Sequence, residues 1–134
     1  MPGYDVRPAL AIEQANTILY CSRWAVTVAF YRDTLGLPTS FANDWFVEFE
    51  LGPASFLSIA DASRATIDAA QGKGITIAWK VHDAAAARTT LDQRGVEVTQ
   101  VVQRWGSPAF YCHDPEGHRI EVWSKPASVH ATVP

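Results

Sequence analysis

The chain has 134 residues, which is enough for one ordinary domain and too few for two independent ones. Hydrophobic residues make up 48% and charged residues 19%, so a packed core is expected and disorder is not. The formal net charge of −3 argues against a nucleic-acid partner, because such proteins normally carry a basic surface. Neither a run of roughly 20 apolar residues nor a secretory signal pattern is present, so we expect no membrane partner and a cytoplasmic protein.

Two cysteines, Cys21 and Cys112, are too few for a disulfide framework or for a zinc site built from several cysteines. We expect both to be free thiols in the interior, where cysteine behaves as a small hydrophobic residue. Aromatic side chains are plentiful, with five Trp, six Phe and four Tyr. Most are expected in the core, and the others are available to line a pocket.

The two halves of the chain follow the same pattern, which indicates an internal repeat. Residues Asn16–Cys21 align with Thr76–Val81 at an offset of 60 positions. In both segments residues alternate between two sets, as in a strand that is buried on one face. We therefore predict that each half begins with a strand.

A helix is predicted directly after the first strand. Ser22 is its expected N-cap, and Val26, Ala29 and Phe30 form an apolar stripe along it. The helix is expected to end near Gly36, because glycine readily adopts the left-handed conformation that stops a helix.

The second half has a corresponding helix over Ala84–Arg94. Asp83 is the expected N-cap, Leu91 is expected to face inward, and Gly95 is the stop signal. The alanine-rich composition of this run favours a helix.

Short strand-like runs complete each half. The predicted strands are Trp45–Leu51, Ser55–Ala60, Val96–Val102, Ala109–Asp114 and His118–Ser124. Each half then reads as strand, helix and three strands, a βαβββ module. The fold class is α+β, with two modules that form a curved, cup-shaped mixed sheet with helices on the outside.

These modules define one domain with short connecting segments. Module one covers about 14–62, a linker covers about 63–74, and module two covers about 75–125. A short helix is predicted within the linker around Thr66–Ala70. The termini, including a C-terminal arm at 126–134, are expected to fray or to pack on a partner subunit.

The last two strands are expected to form a hairpin with a three-residue loop. With Gly117 in the left-handed conformation, Asp114 lies opposite His118. This register places Phe110, Cys112, Ile120 and Val122 on one face of the sheet, while a four-residue loop would mix polar and apolar side chains on each face.

The alternation along all strands predicts an apolar face under the helices and a more polar inner face. A concave inner face of this kind is suited to binding a small molecule. The candidate ligand-binding residues on it are Asn16, Ile18, Tyr20, Phe46, Glu48, Thr76, Ala78, Lys80, Tyr111, His113 and Trp123, beside Glu121.

Two motifs resemble the vicinal oxygen chelate superfamily, which contains glyoxalases, bleomycin resistance proteins, fosfomycin-modifying enzymes and extradiol dioxygenases. The run Phe30–Leu37 is similar to the end of the family's first helix, FYRDxLGL. The run Asp114–Val122 resembles its terminal hairpin, DPxGxxxE. The resemblance covers about residues 14–125 and implies paired βαβββ modules, commonly in a homodimer, without identifying a substrate.

The resemblance also implies where a metal ion would bind. The family's ligand positions fall on Asn16, Thr76 and Glu121, with a fourth near Leu57. Only Glu121 is a good ligand for a divalent cation, because an amide and a hydroxyl bind such ions weakly. We therefore expect no metal cofactor. The alternative is a divalent ion at Glu121, with Glu48 approaching it across the cup.

The leading hypothesis is a metal-free protein that sequesters an aromatic or cationic drug or metabolite, as the bleomycin resistance branch does. The rings of Tyr20, Phe46, Tyr111 and Trp123 would stack on a flat ligand. Trp105 precedes Gly106 just before the penultimate strand, as a Trp-Gly pair does in that branch. The acidic residues Glu48, Glu50 and Glu121 would suit a cationic ligand.

The alternative hypothesis is an enzyme, a glyoxalase-type lyase or isomerase or a related dioxygenase or transferase. In that case Glu121 would act as metal ligand or base, with assistance from Glu48, Tyr111 or His113. A metal-free variant would use Tyr111 or Lys80 to stabilise an oxyanion. The alternative is a purely structural role, in which Glu121 forms an ion pair with Lys80 or Arg104.

Overall fold

The computed structural model describes residues 7–126. None of the helices in this part of the chain is long and apolar enough to cross a membrane. The helices and strands, in chain order, are β1 (Ala15–Cys21), α1 (Trp24–Ala29), β2 (Thr39–Ala42), β3 (Phe46–Gly52), β4 (Ser55–Asp61), β5 (Thr76–Lys80), α2 (Ala84–Gln93), β6 (Val102–Arg104), β7 (Ser107–His113) and β8 (Arg119–Trp123).

The strands form two four-stranded mixed sheets, one for each module. The first sheet has the order β1-β4-β3-β2, and the second sheet has the order β5-β8-β7-β6. In each sheet the first strand pairs in parallel with the last, and the other pairs are antiparallel. The predicted α+β class and the two βαβββ modules are confirmed, with the strands hydrogen-bonded as two sheets.

A single apolar core joins the two modules. Phe49, Leu57, Phe110 and Ile120 are fully buried in it, and so is Cys21. The predicted alternation is confirmed, because the inward residues of β3, β7 and β8 are the ones assigned to the apolar face. We call this side of each sheet the core face and the opposite side the polar face.

Both cysteines are free and buried, as predicted. Burial, reinforced by the nearby carboxylates of Glu116 and Asp114, raises the pKa of Cys21 to about 12. Burial likewise raises the pKa of Cys112 to about 11. Both thiols therefore stay protonated near neutral pH and are poor nucleophiles.

The first helix differs from its prediction at its start and on its buried face. Arg23, rather than Ser22, occupies the N-cap position, and no side chain caps the helix. The buried residues are Thr27, Val28 and Tyr31, whereas Val26 is exposed. The buried set keeps regular helical spacing, at i, i+1 and i+4, but it is shifted by one residue from the predicted stripe, and a π-helical turn over Phe30–Thr34 follows it.

The second helix follows its prediction more closely. Asp83 is the N-cap, and its carboxylate accepts a hydrogen bond from the backbone N–H of Ala86 at 3.1 Å. Leu91 packs against the core, and Gly95 has a positive φ of 83° just after the helix. The prediction for this helix is confirmed.

Two predictions for the connecting segments are wrong. Residues Val96–Val102 do not form a strand, and β6 begins only at Val102. Thr99 bonds to Tyr111 through its backbone N–H and its hydroxyl, which interrupts a regular ladder. The linker holds a short 3-10 turn at Ala62–Arg64, capped by the Asp61 carboxylate, instead of a helix at Thr66–Ala70.

The β7–β8 hairpin has the predicted register. His113 pairs with Arg119, and the backbone N–H of Asp114 donates to the carbonyl of His118 at 3.0 Å. Gly117 has a positive φ of 110°. The linker packs directly on this turn, because a Cβ at Gly72 would lie 2.2 Å from the carbonyl of Gly117. A side chain at Gly72 is therefore excluded.

Buried polar bonds at this hairpin connect the two modules. The Tyr31 hydroxyl donates to Asp114 at 2.7 Å, and His118 Nδ1 lies 2.7 Å from the same carboxylate oxygen. Burial alone would raise the pKa of Asp114, but the hydrogen bonds from His118 and Tyr31 outweigh it and lower the pKa. His118 is thus a buried partner of the turn and not a solvated residue.

Glu116 forms the second connection. Its carboxylate accepts hydrogen bonds from the backbone N–H groups of Ser22 and Arg23, at 3.0 and 2.8 Å, and from the Ser22 hydroxyl. These bonds tie the hairpin of module two to the start of α1 in module one. The Glu116 side chain is thereby satisfied although it is buried.

Candidate functional site

A hydrogen-bonded group of side chains lies on the polar face of the first sheet. The Asn16 side chain donates to Glu48 at 3.1 Å and accepts from the Ser58 hydroxyl at 2.8 Å. The Ser40 hydroxyl donates to the other oxygen of Glu48 at 2.8 Å. These bonds hold Asn16 and Glu48, two of the predicted ligand-binding residues, in fixed orientations.

Three aromatic rings lie beside this group. The ring centroids of Phe41 and Phe46 are 6.3 Å apart, and those of Trp45 and Phe46 are 5.5 Å apart. Phe41 is 52% exposed, an unusual position for a phenylalanine with nothing above it in the described chain. We call Phe41, Trp45 and Phe46 the aromatic cluster.

The polar face of the second sheet has a different composition. Tyr111 is half-buried, and the guanidinium carbons of Arg119 and Arg104 lie 5.1 and 5.8 Å from its ring centroid. The Arg119 Nε donates to the hydroxyl of Thr76 at 2.9 Å. The second sheet therefore carries two arginines around one tyrosine ring.

Glu121 lies in the middle of this face, between Ala78 on β5 and Tyr111 on β7. It is half-buried, and within residues 7–126 its carboxylate has no hydrogen-bond or ion-pair partner. The predicted ion pairs with Lys80 or Arg104 do not form. Lys80 instead lies with its Nζ 6.0 Å from the ring of Trp123.

The pairing of the strands identifies which residues occupy equivalent positions in the two modules. Ile18 pairs with Ser58, and Ala78, 60 positions after Ile18, pairs with Glu121. Ser58 is therefore the counterpart of Glu121. Leu57, near which the fourth ligand position was expected, is fully buried on the core face.

The residues at these positions do not fit a metal ion. Both polar atoms of the Asn16 side chain are already bonded to Glu48 and Ser58, and the Thr76 hydroxyl accepts from a cationic guanidinium. The described part of the chain contains no group of three or more His, Cys, Asp or Glu side chains able to hold a metal. One carboxylate without imidazole partners is a weak site for a divalent cation.

The remaining predicted residues are on or near these faces. Tyr20 is half-buried and Ile18 is 38% exposed on β1 of the first sheet. His113 is exposed at the end of β7. Trp105 is fully exposed at the β6–β7 turn and has a positive φ of 55°, so it does not line a cavity.

The candidate ligand-binding residues of module one and those of module two lie on separate sheets within one chain. Glu48 bonds within the first sheet, and in the described residues it does not contact Glu121. A groove of about 890 Å³ adjoins the second sheet near the end of α2. Tyr111 and His113 are the two predicted ligand-binding residues among its lining.

Sequence reasoning missed several residues on these faces. Phe41 was not assigned because β2 was not predicted, and Trp45 was predicted as the first residue of a strand but not as part of the site. Arg104 and Arg119 were not assigned to a site. The hairpin parity that places Tyr111 and Glu121 on the polar face also places Arg119 there, and that signal was available.

Comparison with known proteins agrees with this arrangement of modules. A sequence profile of the Glyoxalase/Bleomycin resistance protein/Dioxygenase superfamily matches residues 13–122. A search of curated protein sequences gives no significant match.

Solved structures with the same fold share little sequence with this chain. A lactoylglutathione lyase from Agrobacterium tumefaciens has a TM-score of 0.68 and 22% identity, covering 87% of this chain and 94% of its own. A glyoxalase/bleomycin resistance protein/dioxygenase from Nocardioides has a TM-score of 0.73 and 22% identity, with coverages of 92% and 93%. An antibiotic-binding protein from a Streptomyces species has a TM-score of 0.73 and 17% identity, with coverages of 90% and 100%.

At these identities the neighbours establish the fold and leave the chemistry open. The profile match extends over both βαβββ modules and the β7–β8 hairpin. The chain therefore belongs to the Glyoxalase/Bleomycin resistance protein/Dioxygenase superfamily.

Proposed function

We propose that the protein binds a small aromatic molecule on its polar faces and sequesters it without altering it. The aromatic cluster carries this proposal. It presents Phe41 and the half-buried rings of Trp45 and Phe46 next to a fixed polar group. Such rings supply area for stacking on a flat ligand, and neighbouring polar atoms supply orientation.

The polar group beside the cluster supports binding rather than metal-dependent turnover. Asn16 is hydrogen-bonded to both Glu48 and Ser58, so the three side chains are already ordered before a ligand arrives. A preorganised site loses less conformational entropy on binding than a flexible one. The antibiotic-binding protein with the same fold gives a precedent for binding on this scaffold.

We further infer that the working form is a homodimer in which a second copy helps to enclose the ligand. Each chain leaves the polar faces of both sheets open, with Ile18 and Phe41 exposed. Apolar side chains in such positions are typical of interaction sites. Light scattering coupled to size-exclusion chromatography tests the inference, and a monomer at micromolar concentration would contradict it.

The proposal is tested by titrating the purified protein with flat aromatic compounds, such as acridine, anthraquinone and naphthalene derivatives, and following tryptophan fluorescence. We expect saturable quenching for part of this panel, because Trp45 is in the aromatic cluster. Phe46→Ala should weaken the binding at least about tenfold, since a ring stack in a site contributes roughly 1 kcal/mol or more beyond its area. Unaltered compound recovered after incubation would distinguish sequestration from turnover.

The matched control is Leu91→Ala, which removes a half-buried apolar side chain of α2 that packs on the core away from the polar faces. The variant should keep the dissociation constant within about twofold of the wild-type value, because the side chain that it removes contacts none of the three rings. The absence of quenching across the whole panel would contradict the proposal. Equal losses in both variants would also contradict it, because they would indicate a general effect on the fold.

A second candidate is a glyoxalase-type lyase or isomerase, and the carboxylate of Glu121, which has no partner within residues 7–126, favours it. This carboxylate belongs to the residue paired in register with Tyr111 and is available for proton transfer. The test combines metal analysis of the purified protein with an assay for lactoylglutathione formation from methylglyoxal and glutathione. Stoichiometric metal and turnover that is lost in Glu121→Gln would establish this candidate and overturn sequestration.

A further inference from the structure

We propose that the polar face of the second sheet binds an oxyanion, a carboxylate or phosphate group of the ligand, through Arg104 and Arg119 beside Tyr111. The inference rests on the proposed function and specifies the class of ligand. It differs from the cationic ligand that the acidic residues suggest in the sequence.

Two guanidinium groups flank the Tyr111 ring, one from each of the strands that neighbour β7. Both guanidinium groups lie within 6 Å of the same ring centroid, and both arginines are exposed. The Arg119 Nε is bonded to Thr76, which fixes the guanidinium plane and leaves its two terminal nitrogens free to donate. A planar guanidinium binds carboxylate and phosphate oxygens with two parallel hydrogen bonds.

The cations on this face form no ion pair within the described chain, although Glu121 lies on the same face. Arg104 and Arg119 form no ion pair, and neither does Lys80 near Trp123. Each rests on an aromatic ring, an interaction of about 0.5–1 kcal/mol at an exposed site. Two positive charges near one ring also repel each other, so an oxyanion bound between them would remove an unfavourable interaction.

The two sheets differ in charge, which makes the second one specific for anions. The strands of the second sheet contain Lys80, Arg104 and Arg119 against the single carboxylate of Glu121. The four strands of the first sheet contain no Lys or Arg, and its polar face carries Glu48. An acidic group of a ligand is therefore attracted to the second sheet and repelled by the first.

Thr76 has a positioning role in this proposal. Its hydroxyl accepts the Arg119 Nε–H, and the two residues are paired in register between β5 and β8. Thr76→Val preserves shape and removes the acceptor. The guanidinium should then lose its fixed plane, so that affinity for an anion falls while affinity for a neutral ligand of the same shape is unchanged.

The test uses three probes of nearly the same shape: naphthalene-2-carboxylate, naphthalene-2-carboxamide and naphthalen-2-ylmethylammonium. Calorimetric titration of the wild-type protein in low salt should give at least about tenfold tighter binding of the carboxylate than of the amide, which is the effect of one charge-assisted hydrogen-bond pair. The preference should shrink as salt is added. The ammonium compound should bind most weakly.

Variants assign that preference to the arginines. Arg119→Gln or Arg104→Gln should reduce the carboxylate preference to about threefold or less, and the double variant should abolish it. Arg32→Gln is the control, because it removes one exposed cation that is paired with Asp33 and is not one of the two guanidinium groups at the Tyr111 ring. Circular dichroism melting of each variant should be unchanged, since all three arginines are on the surface.

The outcomes separate this inference from the proposed function. Equal binding of the three probes, or tightest binding of the ammonium compound, overturns the oxyanion site and leaves sequestration of an aromatic ligand intact. A carboxylate preference that survives in the double arginine variant also overturns it. Failure of all three probes to bind contradicts the inference, whereas the neutral compounds of the aromatic panel decide the proposed function independently.

Discussion

The β7–β8 hairpin and the polar face of the second sheet differ in whether their charged side chains have partners within the protein. At the hairpin, Asp114 and Glu116 are buried, and hydrogen bonds satisfy both carboxylates. On the polar face, Glu121 has no partner in the described residues, and Arg104 and Arg119 rest on a ring without an ion pair.

This difference separates structural charges from those available to a ligand. A buried carboxylate must be satisfied internally, because desolvation without a partner costs several kcal/mol. Glu116 meets that requirement by joining the two modules. Exposed charges without partners are under no such requirement, so they contribute little to stability and remain free for binding. Substitution in the two regions should therefore have very different consequences.

The largest effect is expected for Asp114→Asn. The substitution removes a carboxylate that accepts from Tyr31, from His118 and from three backbone N–H groups of its own turn. An amide of the same shape places an N–H group against some of these donors. We expect a loss of about 3 kcal/mol in the free energy of unfolding, measured by urea denaturation.

The difference in unfolding free energy between the wild-type protein and Asp114→Asn should depend on pH. The pKa of Asp114 is lowered in the folded state, so its contribution is complete above the unfolded value of about 4 and is lost as pH falls through the folded value. The stability difference between wild type and Asp114→Asn should shrink as the pH falls below about 4. A difference that grows below this pH would contradict the assignment.

The next largest effect is expected for Glu116→Gln, a loss of about 2 kcal/mol in the free energy of unfolding. Three donors from Ser22 and Arg23 converge on this carboxylate, and a glutamine offers them only one oxygen. Charge-assisted bonds are roughly twice as strong as neutral ones. Glu97→Gln is the matched control, because Glu97 is exposed. It should change the unfolding free energy by less than about 0.5 kcal/mol.

The predictive power of the sequence follows the same division. Alternation along β7 and β8 predicted the core face and the hairpin register, because a shift of one residue would bury polar side chains. The roles of Asp114 and Glu116 could not be predicted, since their partners Tyr31 and Ser22 are more than 80 residues away in the chain. Such pairs form only when the two modules pack.

The start of module one shows a second limit of local patterns. Serine is a preferred N-cap residue, but the Ser22 hydroxyl donates to Glu116 instead of capping α1. Tyr31, whose hydroxyl bonds to Asp114 of module two, is buried, whereas Val26 is exposed. Contacts between the modules decided both outcomes, and local patterns do not contain them.

A smaller effect of opposite sign is expected at the β6–β7 turn. Trp105 and Gly106 both have positive φ values, 55° and 79°, and the Trp105 side chain is fully exposed. A two-residue turn with this backbone favours Asn-Gly. Trp105→Asn should therefore raise the free energy of unfolding by about 1 kcal/mol. Retention of aromatic-probe binding would show that Trp105 is not part of the site, whereas loss of binding would assign it there.

The smallest effect on stability is expected for Glu121→Gln. The carboxylate has no partner to lose in the described structure, so the free energy of unfolding should change by less than about 0.5 kcal/mol. Its removal also takes the only negative charge from strands that carry Lys80, Arg104 and Arg119. Affinity for naphthalene-2-carboxylate should therefore rise about two- to threefold, while affinity for the carboxamide stays constant.

Turnover, measured beside this increase, separates the two functional candidates. If Glu121 were a metal ligand or a general base, Glu121→Gln would abolish turnover. If it only reduces the positive potential around Tyr111, its removal strengthens the site that the arginines form. Lower affinity for the carboxylate in Glu121→Gln would show that this residue takes part in binding, and would reverse the contrast between the hairpin and the polar face.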